Sequence, residues 1–489
     1  MRILLWMVLL VLAISALAGA EIDAKREPLL LLDAHRIQDR FYTNPFSLAN
    51  IGDPFILPHK DRYYAFATGG GDRFFVWESR NLRAFGGQKT ALSGVAWASV
   101  DFWAPEVFEY QGRFVMIYSA RRTSDHSLRV GIAFSNEPEG PYQDLGKPLF
   151  DFGYAAIDGT LFVDEDGTPY LFYARDCSEN QVLWRHESHI YGVRLNEELT
   201  AIEGESVFLT CPDLGWEKHS GNWRWNEGPS VLKHDSQYYL FYSANACSSK
   251  EYGVGYAVAD DVLGNYRKPK DNRLLSYVEE EGNILVSGPG HNSFFQVGDE
   301  LFTAYHSHTF PKSPSGNRRL NVSRAGFHVD GTPYINGPTM GRNLLPLSII
   351  GMKNATLSAS LSASQGDAEC LRDGDEGTSL TDRLWRSSEA GGWIDMRWFQ
   401  AQIVDCVLIY SPPNQMSTGT LIINESQQIT IDFGEKRSLG EPIILHLEAL
   451  KLESLRVEFS SEVAVAEIRV LGINGTHVNN HRPPYVSNF

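Results

Sequence analysis

Four acidic residues and a histidine each stand at the head of a similar stretch of chain: Asp53, Glu106, Asp158, Glu227 and His291, separated by 53, 52, 69 and 64 residues. Carboxyl groups gathered around one pit raise one another's pKa, so such an array can hold one carboxyl ionised and another protonated. Those are the tools of glycoside hydrolysis: the carboxylate activates water, the protonated partner gives its proton to the leaving oxygen, and a third acid keeps that donor protonated. A separation of about 5–5.5 Å marks a retaining enzyme and about 6.5–9.5 Å an inverting one, a distance the sequence does not give. For any one of these residues the plainer reading is a surface carboxylate at a turn. Recurrence at the same place in a repeat argues against that reading for the set.

The elements that must position them are repeated hairpins. Each marker is followed by a short apolar strand, a turn and a second strand rich in Tyr and Phe, beginning at Asp53, Pro105, Asp158, Glu227 and His291. The turns carry Lys-Asp, Gln-Gly, Asp-Glu-Asp-Gly, His-Asp-Ser and Gly-Asp, which is hairpin chemistry. The spacing suits four-stranded blades whose inner pair is the repeated unit, and predicts an all-β chain with a five-bladed β-propeller over residues 40–346. A β-sandwich with coincidentally similar hairpins is the alternative, and weak helical periodicity argues against a (β/α) barrel. In a propeller the inner strands start around the central channel, so the five markers converge in space.

Composition narrows the partners. Of 489 residues, 43% are hydrophobic and 21% charged, which excludes a disordered chain, and a net charge of −17 disfavours nucleic acid and anionic membrane surfaces. Aromatic residues make up 12% of the chain, more than a core alone usually asks for. Tryptophans 77, 97, 103, 184, 216, 223 and 225 are candidate sugar platforms, with blade packing as the alternative for each. Trp103 and Trp225 are favoured as site residues because they adjoin the motifs.

Residues 1–20 read as a secretory signal peptide, an apolar run ending in Ala18-Gly19-Ala20, with an N-terminal membrane anchor as the alternative. No other stretch is long and apolar enough to span a bilayer, so the expectation is a secreted, extracellular protein. Sequons at Asn321, Asn354, Asn424 and Asn474 suggest a glycoprotein. Cys177, Cys211 and Cys247 lie apart from Cys370 and Cys406, so one bridge within each group plus a free thiol is expected, with connectivity open. No zinc-type ligand spacing occurs.

The ordered set Gly52-Asp53-Pro-Phe, Trp103-Ala-Pro-Glu106, Ala-Ile-Asp158-Gly, Asn-Glu227-Gly-Pro and Gly-Pro-Gly-His291-Asn-Ser resembles glycoside hydrolase family 43, over roughly residues 45–340. That resemblance implies a five-bladed propeller enzyme acting by inversion on arabinose- and xylose-containing polysaccharides. It makes Asp53 the general base, Glu227 the general acid, and Asp158 the pKa modulator and orienter of the acid. It also sets His291 in the channel, in contact with substrate or near a calcium held through water, with no cofactor required. Glu106 is either a substrate contact or a partner of the Trp-Ala-Pro segment. Arg319 is read as a substrate contact through its planar fork, with a solvent-exposed basic cluster with Arg318 as the alternative. Gly52 stands where alanine is frequent and Gly159 where proline is common, departures that bear on loop shape and subsite preference.

Residues 354–475 carry short alternating strands, Trp385 and Gly392-Trp393-Ile-Asp, a β-sandwich pattern that resembles discoidin-type, galactose-binding-like jelly rolls. In that resemblance Asp373 and Asp375 are candidate ligands of a structural calcium. The domain either binds carbohydrate or only buttresses the propeller; residues 476–489 form a tail.

The leading expectation is thus a secreted inverting hydrolase releasing arabinofuranosyl or xylosyl residues from plant cell-wall polysaccharide or oligosaccharide. An endo-arabinanase or galactan-acting relative is one alternative, and a non-catalytic propeller lectin another. A lectin has no need to keep Asp53, Asp158 and Glu227 together. Oligomeric state is left open.

Overall fold

A computed structural model describes residues 38–473, apart from 49, 70, 379–382, 414, 416, 417 and 435. The expected signal peptide, the C-terminal tail and the Asn474 sequon lie outside the described residues. No described helix is long and apolar enough to cross a membrane.

Five four-stranded antiparallel sheets follow one another along the chain. Their inner strands are Gly52–His59, Ala98–Tyr110, Ala156–Val163, Asn226–His234 and Gly290–Val297. The second strands are Arg62–Thr68, Arg113–Arg122, Pro169–Arg175, Gln237–Ala244 and Glu300–His308. This is the five-bladed propeller. No strand is exchanged between blades, so the ring closes by packing the first blade on the fifth, around Ile56, Phe295, Phe302 and Leu320. A strap, Phe41–Asn44 paired with Gly341–Leu344, secures that seam. Buried apolar clusters rich in Phe and Tyr fill the other four blade junctions.

Each inner strand breaks register at the same place, setting two residues opposite one on the second strand: between Gly52 and Phe55, Trp103 and Glu106, Ile157 and Thr160, Glu227 and Ser230, and Gly290 and Ser293. The first residue of each bulge has a left-handed backbone: Asp53 (φ 49°), Ala104 (45°), Asp158 (57°), Gly228 (55°) and His291 (51°). Glu106 and Glu227 are therefore not in the repeat position of Asp53, as the spacing suggests. Glu227 precedes its bulge by one residue, and Glu106 lies two residues past Ala104. Bulges interrupt the period of two, so counting along the sequence cannot phase them.

The C-terminal unit is a sheet in the order Met352–Asn354, Glu467–Ile473, Gly392–Tyr410, Ile443–Phe459, Thr418–Ile423, Gln427–Asp432, with Ser360–Ala363 on the third strand. Register breaks bend Gly392–Tyr410 between Arg397 and Gln402. The sheet folds around a core that includes Trp385, Ile394, Leu421, Val457 and Ile468. It meets the propeller through Phe41, Leu344, Leu408 and Leu471.

Two expectations are corrected. All five cysteines are free thiols, so neither group forms a bridge. The sulfurs are engaged separately: Cys370 Sγ donates to the Asp367 carbonyl at 3.0 Å, while Cys406 Sγ lies 3.8 Å from Arg40 Nη1. The Asn321 sequon is 1% exposed, and its amide nitrogen donates to Ser307 Oγ at 2.8 Å, so in the folded protein it is closed to a glycan.

Candidate active site

The bulges create the site. A left-handed residue turns its N–H out of its own sheet, and a buried N–H must find a partner. In four blades that partner is a side chain from the second strand of the preceding blade, always opposite the residue just before the bulge. Ala104 N donates to Thr68 Oγ1 (2.7 Å), Asp158 N to Ser119 Oγ (2.8 Å), His291 N to Ser243 Oγ (2.7 Å) and Asp53 N to His306 Nδ1 (3.2 Å). In the remaining blade the equivalent residue is Ala174, which has no acceptor, and Gly228 N donates to Asp158 Oδ2 at 3.0 Å. This ring of interblade bonds fixes the backbone under Asp53, Asp158 and His291 and ties Asp158 to the segment that carries Glu227.

Asp53 is 9% exposed and heavily partnered. Its Oδ1 lies 2.6 Å from Arg318 Nη1, 3.3 Å from His291 Nδ1 and 3.5 Å from His306 Nδ1, and its Oδ2 accepts from Thr68 Oγ1 at 2.6 Å. Burial alone would raise its pKa, but the Arg318 guanidinium, then His291 and the Thr68 hydroxyl, hold it well below the usual carboxylate range. His306 is driven well below its ordinary value by burial and by Arg318, so it is neutral and its Nδ1 can accept the Asp53 N–H.

Glu227 is the opposite case. It accepts one hydrogen bond, from Tyr252 at 2.9 Å, and burial followed by the nearby Asp158 pushes its carboxyl well above the ordinary value. Asp158 is itself pushed up to about 6 by burial, with His291 opposing. Glu106, past the bulge of its strand, is hydrogen-bonded to Thr160, and burial raises it to about 8, with Asp158 adding to the shift. The pit therefore shifts Asp53 toward the ionised form and both glutamic acids toward the protonated form.

Two glycines are shaped by these partners. A Cβ on Gly52 would sit 2.1 Å from the Arg318 guanidinium carbon, and one on Gly228 would approach His291 Nδ1 to 3.0 Å in a backbone conformation that side chains rarely adopt. The departure at Gly52 is thus the space that Arg318 occupies. Gly159, the other departure, abuts Ile117 and Val130 of the second blade.

Of the remaining expected residues, Trp103 packs beside Ile157 and Ala174 at the rim, and Trp225 is half-buried and stacked on Trp223, with centroids 6.3 Å apart. Arg319 is expected as a substrate contact; the cation beside Asp53 is its neighbour Arg318. The two are neighbours on a strand, so they face opposite sides, and Arg318 is the one on the channel side. Thr68, Ser119, Ser243, Tyr252 and His306 escape sequence reasoning because nothing marks them until the interblade register is known.

Asp373 and Asp375 do not fit a calcium site. Their carboxylates flank the buried His328, 3.3 Å from Nδ1 and 3.5 Å from Nε2, and their other oxygens accept the N–H groups of Asp375 and Gly377. Burial opposes but the two carboxylates prevail, raising His328 to about 9, so an imidazolium stands where the cation would be. Among the described residues no group of three or more His, Cys, Asp or Glu side chains is placed to hold a metal ion.

A five-bladed propeller with one depressed and one raised carboxyl among the bulges of its inner strands is the class of fold and site that the structure defines. Residues 42–333 match glycosyl hydrolases family 43, and the chain belongs to that family. It is 27% identical over 324 residues to an extracellular exo-α-(1→5)-L-arabinofuranosidase of Streptomyces avermitilis and 28% identical over 325 residues to α-L-arabinofuranosidase 43 of Humicola insolens. Each alignment covers 61% of this chain and 63% of the relative. Among solved structures, a thermostable family-43 glycoside hydrolase is 43% identical with a TM-score of 0.60, covering 62% of this chain and 99% of that one. An endo-1,4-β-xylanase of Bacteroides thetaiotaomicron is 31% identical with a TM-score of 0.51, covering 61% and 97%.

Proposed function

We propose that this protein is a secreted, inverting glycoside hydrolase that releases arabinofuranosyl or xylosyl residues from plant cell-wall polysaccharides or their oligosaccharides. Asp53 is the general base that activates water, Glu227 the general acid that protonates the leaving oxygen, and Asp158 the group that orients Glu227 and keeps it protonated. The observation that carries this reading is the contrast between Asp53, paired with Arg318 Nη1 at 2.6 Å, and Glu227, buried beside Asp158 with one hydrogen bond from Tyr252, which shifts the first carboxyl down and the second up. Trp103, Trp225, Glu106 and His291 line the sugar-binding pit in this reading, and the chemistry needs no cofactor. The arabinofuranosidase names of the relatives support the pentose specificity. The C-terminal sheet unit, read as a galactose-binding-like domain, would hold the enzyme on its polymer and raise the local substrate concentration.

The test is incubation of the full chain with aryl pentosides, arabinan, xylan and galactan, following product anomers by NMR and product length by chromatography. Inverted monosaccharide is expected. A retained anomer would overturn the mechanism, oligosaccharide products would move the assignment to an endo-arabinanase, and inactivity on every substrate would favour the lectin.

A further inference from the structure

Between the second and third strands of the third blade, on the end of the propeller where the inner strands begin, the chain forms a small hairpin of Gln181–Val182 paired with Arg185–Glu187. Its turn is Leu183-Trp184, both left-handed, with φ 48° and 60°. Two-residue turns of this kind strongly prefer Asn-Gly, because side chains pay a steric penalty at positive φ. Here the turn carries two large apolar side chains instead, and both face water: Trp184 is 89% exposed and Leu183 68%. An exposed tryptophan on a strained turn serves neither packing nor solubility.

The hairpin is joined to the acid. Its Arg185–Glu187 strand pairs in parallel with Trp223–Arg224, and the ladder continues as Ser188 N donates to the Arg224 carbonyl (2.8 Å) and Asn226 N to the Ser188 carbonyl (3.1 Å), one residue before Glu227. The His186 ring lies flat on Trp223, centroids 3.9 Å apart at 7°, and Trp223 stacks in turn on Trp225. The buried Glu187 locks this arrangement, with Arg185 Nε at 2.6 Å, His189 Nε2 at 3.1 Å and Arg224 Nη1 at 3.5 Å from its carboxylate. The arginines of the platform are thereby paired with Glu187, while Trp184 and Trp223 remain exposed.

We propose that Trp184 and Trp223 form a binding platform for the leaving-group portion of a neutral glycan chain. The inference rests on Glu227 being the general acid. That residue protonates the leaving oxygen, so the departing chain lies on its side of the pit, and the wall that rises from Asn226 is the surface it meets. Aromatic faces pack on the C–H faces of sugar rings, and a platform whose arginines are already paired favours uncharged sugars over uronates.

The experiment compares wild type with the double variant Leu183→Asn/Trp184→Gly, which suits the turn better than the native pair, and with Trp223→Ala. Substrates are an aryl pentoside, whose leaving group is too small to span the platform, and unsubstituted pentose oligosaccharides of increasing length. The platform predicts that kcat/KM on the longer oligosaccharides falls about tenfold more than on the aryl pentoside, through KM. It also predicts that the wild-type gain with chain length flattens. Equal losses on both substrate types, or none on either, would overturn it, as would a dimeric wild type made monomeric by the double variant, which would make the surface a contact between copies. Should wild type cleave nothing, the reading of Glu227 fails on its own. Calorimetric titration of the same oligosaccharides then decides the platform, which requires weaker binding by both variants.

Discussion

Asp158 accepts the backbone N–H of Gly228 at 3.0 Å because Ala174, the residue that should accept it, has no acceptor. At the other four junctions a threonine, two serines and a histidine do that work. The missing hydroxyl frees one N–H, and that N–H pins the carboxylate next to the acid. Supplying the acceptor should release it. Ala174→Ser is expected to bond Gly228 N through its new hydroxyl, loosen Asp158 and lower kcat by about tenfold with little change in KM, in keeping with a group that acts through the acid. Steady-state kinetics with a pH profile checks this; wild-type kcat and an unmoved alkaline limb would show that the bond does not position Asp158.

Removing each partner of the acid-base pair separates their roles. Glu227→Gln leaves the leaving oxygen without its proton, so turnover of unactivated oligosaccharides should fall by about 10²–10⁴, and far less for aryl glycosides whose leaving group departs as an anion. Asp53→Asn removes the activation of water, which both substrates need, and should cost both alike. Parallel losses for the two variants on both substrates would count against the assignment.

The number and order of the blades could be read from the chain because every blade repeats one hairpin with its own turn. The phase of each inner strand could not. A bulge sets two residues against one, so the period of two that assigns faces is reset just where the site is built. Glu106 consequently looks equivalent to Asp53 by spacing, although Ala104 holds that place. The same limit hides the role of Arg318, since telling which of two neighbours on a strand faces the channel needs the register of the whole sheet. His306, Thr68 and Ser243 are invisible for a different reason: their partners are in other blades, 253, 36 and 48 residues away. Asp373 and Asp375 misled because an Asp-Gly-Asp turn suits calcium and imidazolium equally, and only the fold reveals that His328 lies between them.

Gly52 and Arg318 form a matched pair whose disturbance should be read in the acid limb of kcat/KM. With the guanidinium in place Asp53 is depressed, so it remains ionised, and activity persists, to low pH. Arg318→Met removes the largest stabilising charge and leaves burial to raise the carboxyl, so the base becomes protonated at a higher pH than in wild type. Activity at about pH 4–5 should then drop several-fold relative to about pH 6.5, over and above the change that wild type shows there as Asp158 titrates near 6. Gly52→Ala pushes the guanidinium aside from the other direction and should shift the limb the same way by a smaller amount. An acid limb that stays in place in both variants would mean that Arg318 does not set the state of Asp53.

His328 gives the boundary between the two units a dependence on pH. It follows the strand Arg318–Phe327 of the fifth blade, while Asp373 and Asp375 belong to the C-terminal unit, whose Gly374 carbonyl also accepts from Asn336 Nδ2 at 2.8 Å. The folded-state pKa of the imidazole is about 9, against 6.5 when free. A raised value means that the folded protein binds the proton more tightly, so this contribution is fully present below about pH 6.5 and disappears as pH rises through about 9. With allowance for screening at a domain boundary it is on the order of 1 kcal/mol, or roughly 2–4 °C in Tm. Thermal melts at pH 6, 7.5 and 9.5 should show wild type losing that margin over His328→Gln as pH rises, the two curves meeting at the alkaline end. A constant difference between them would show that the imidazole contributes shape and no charge to the joint.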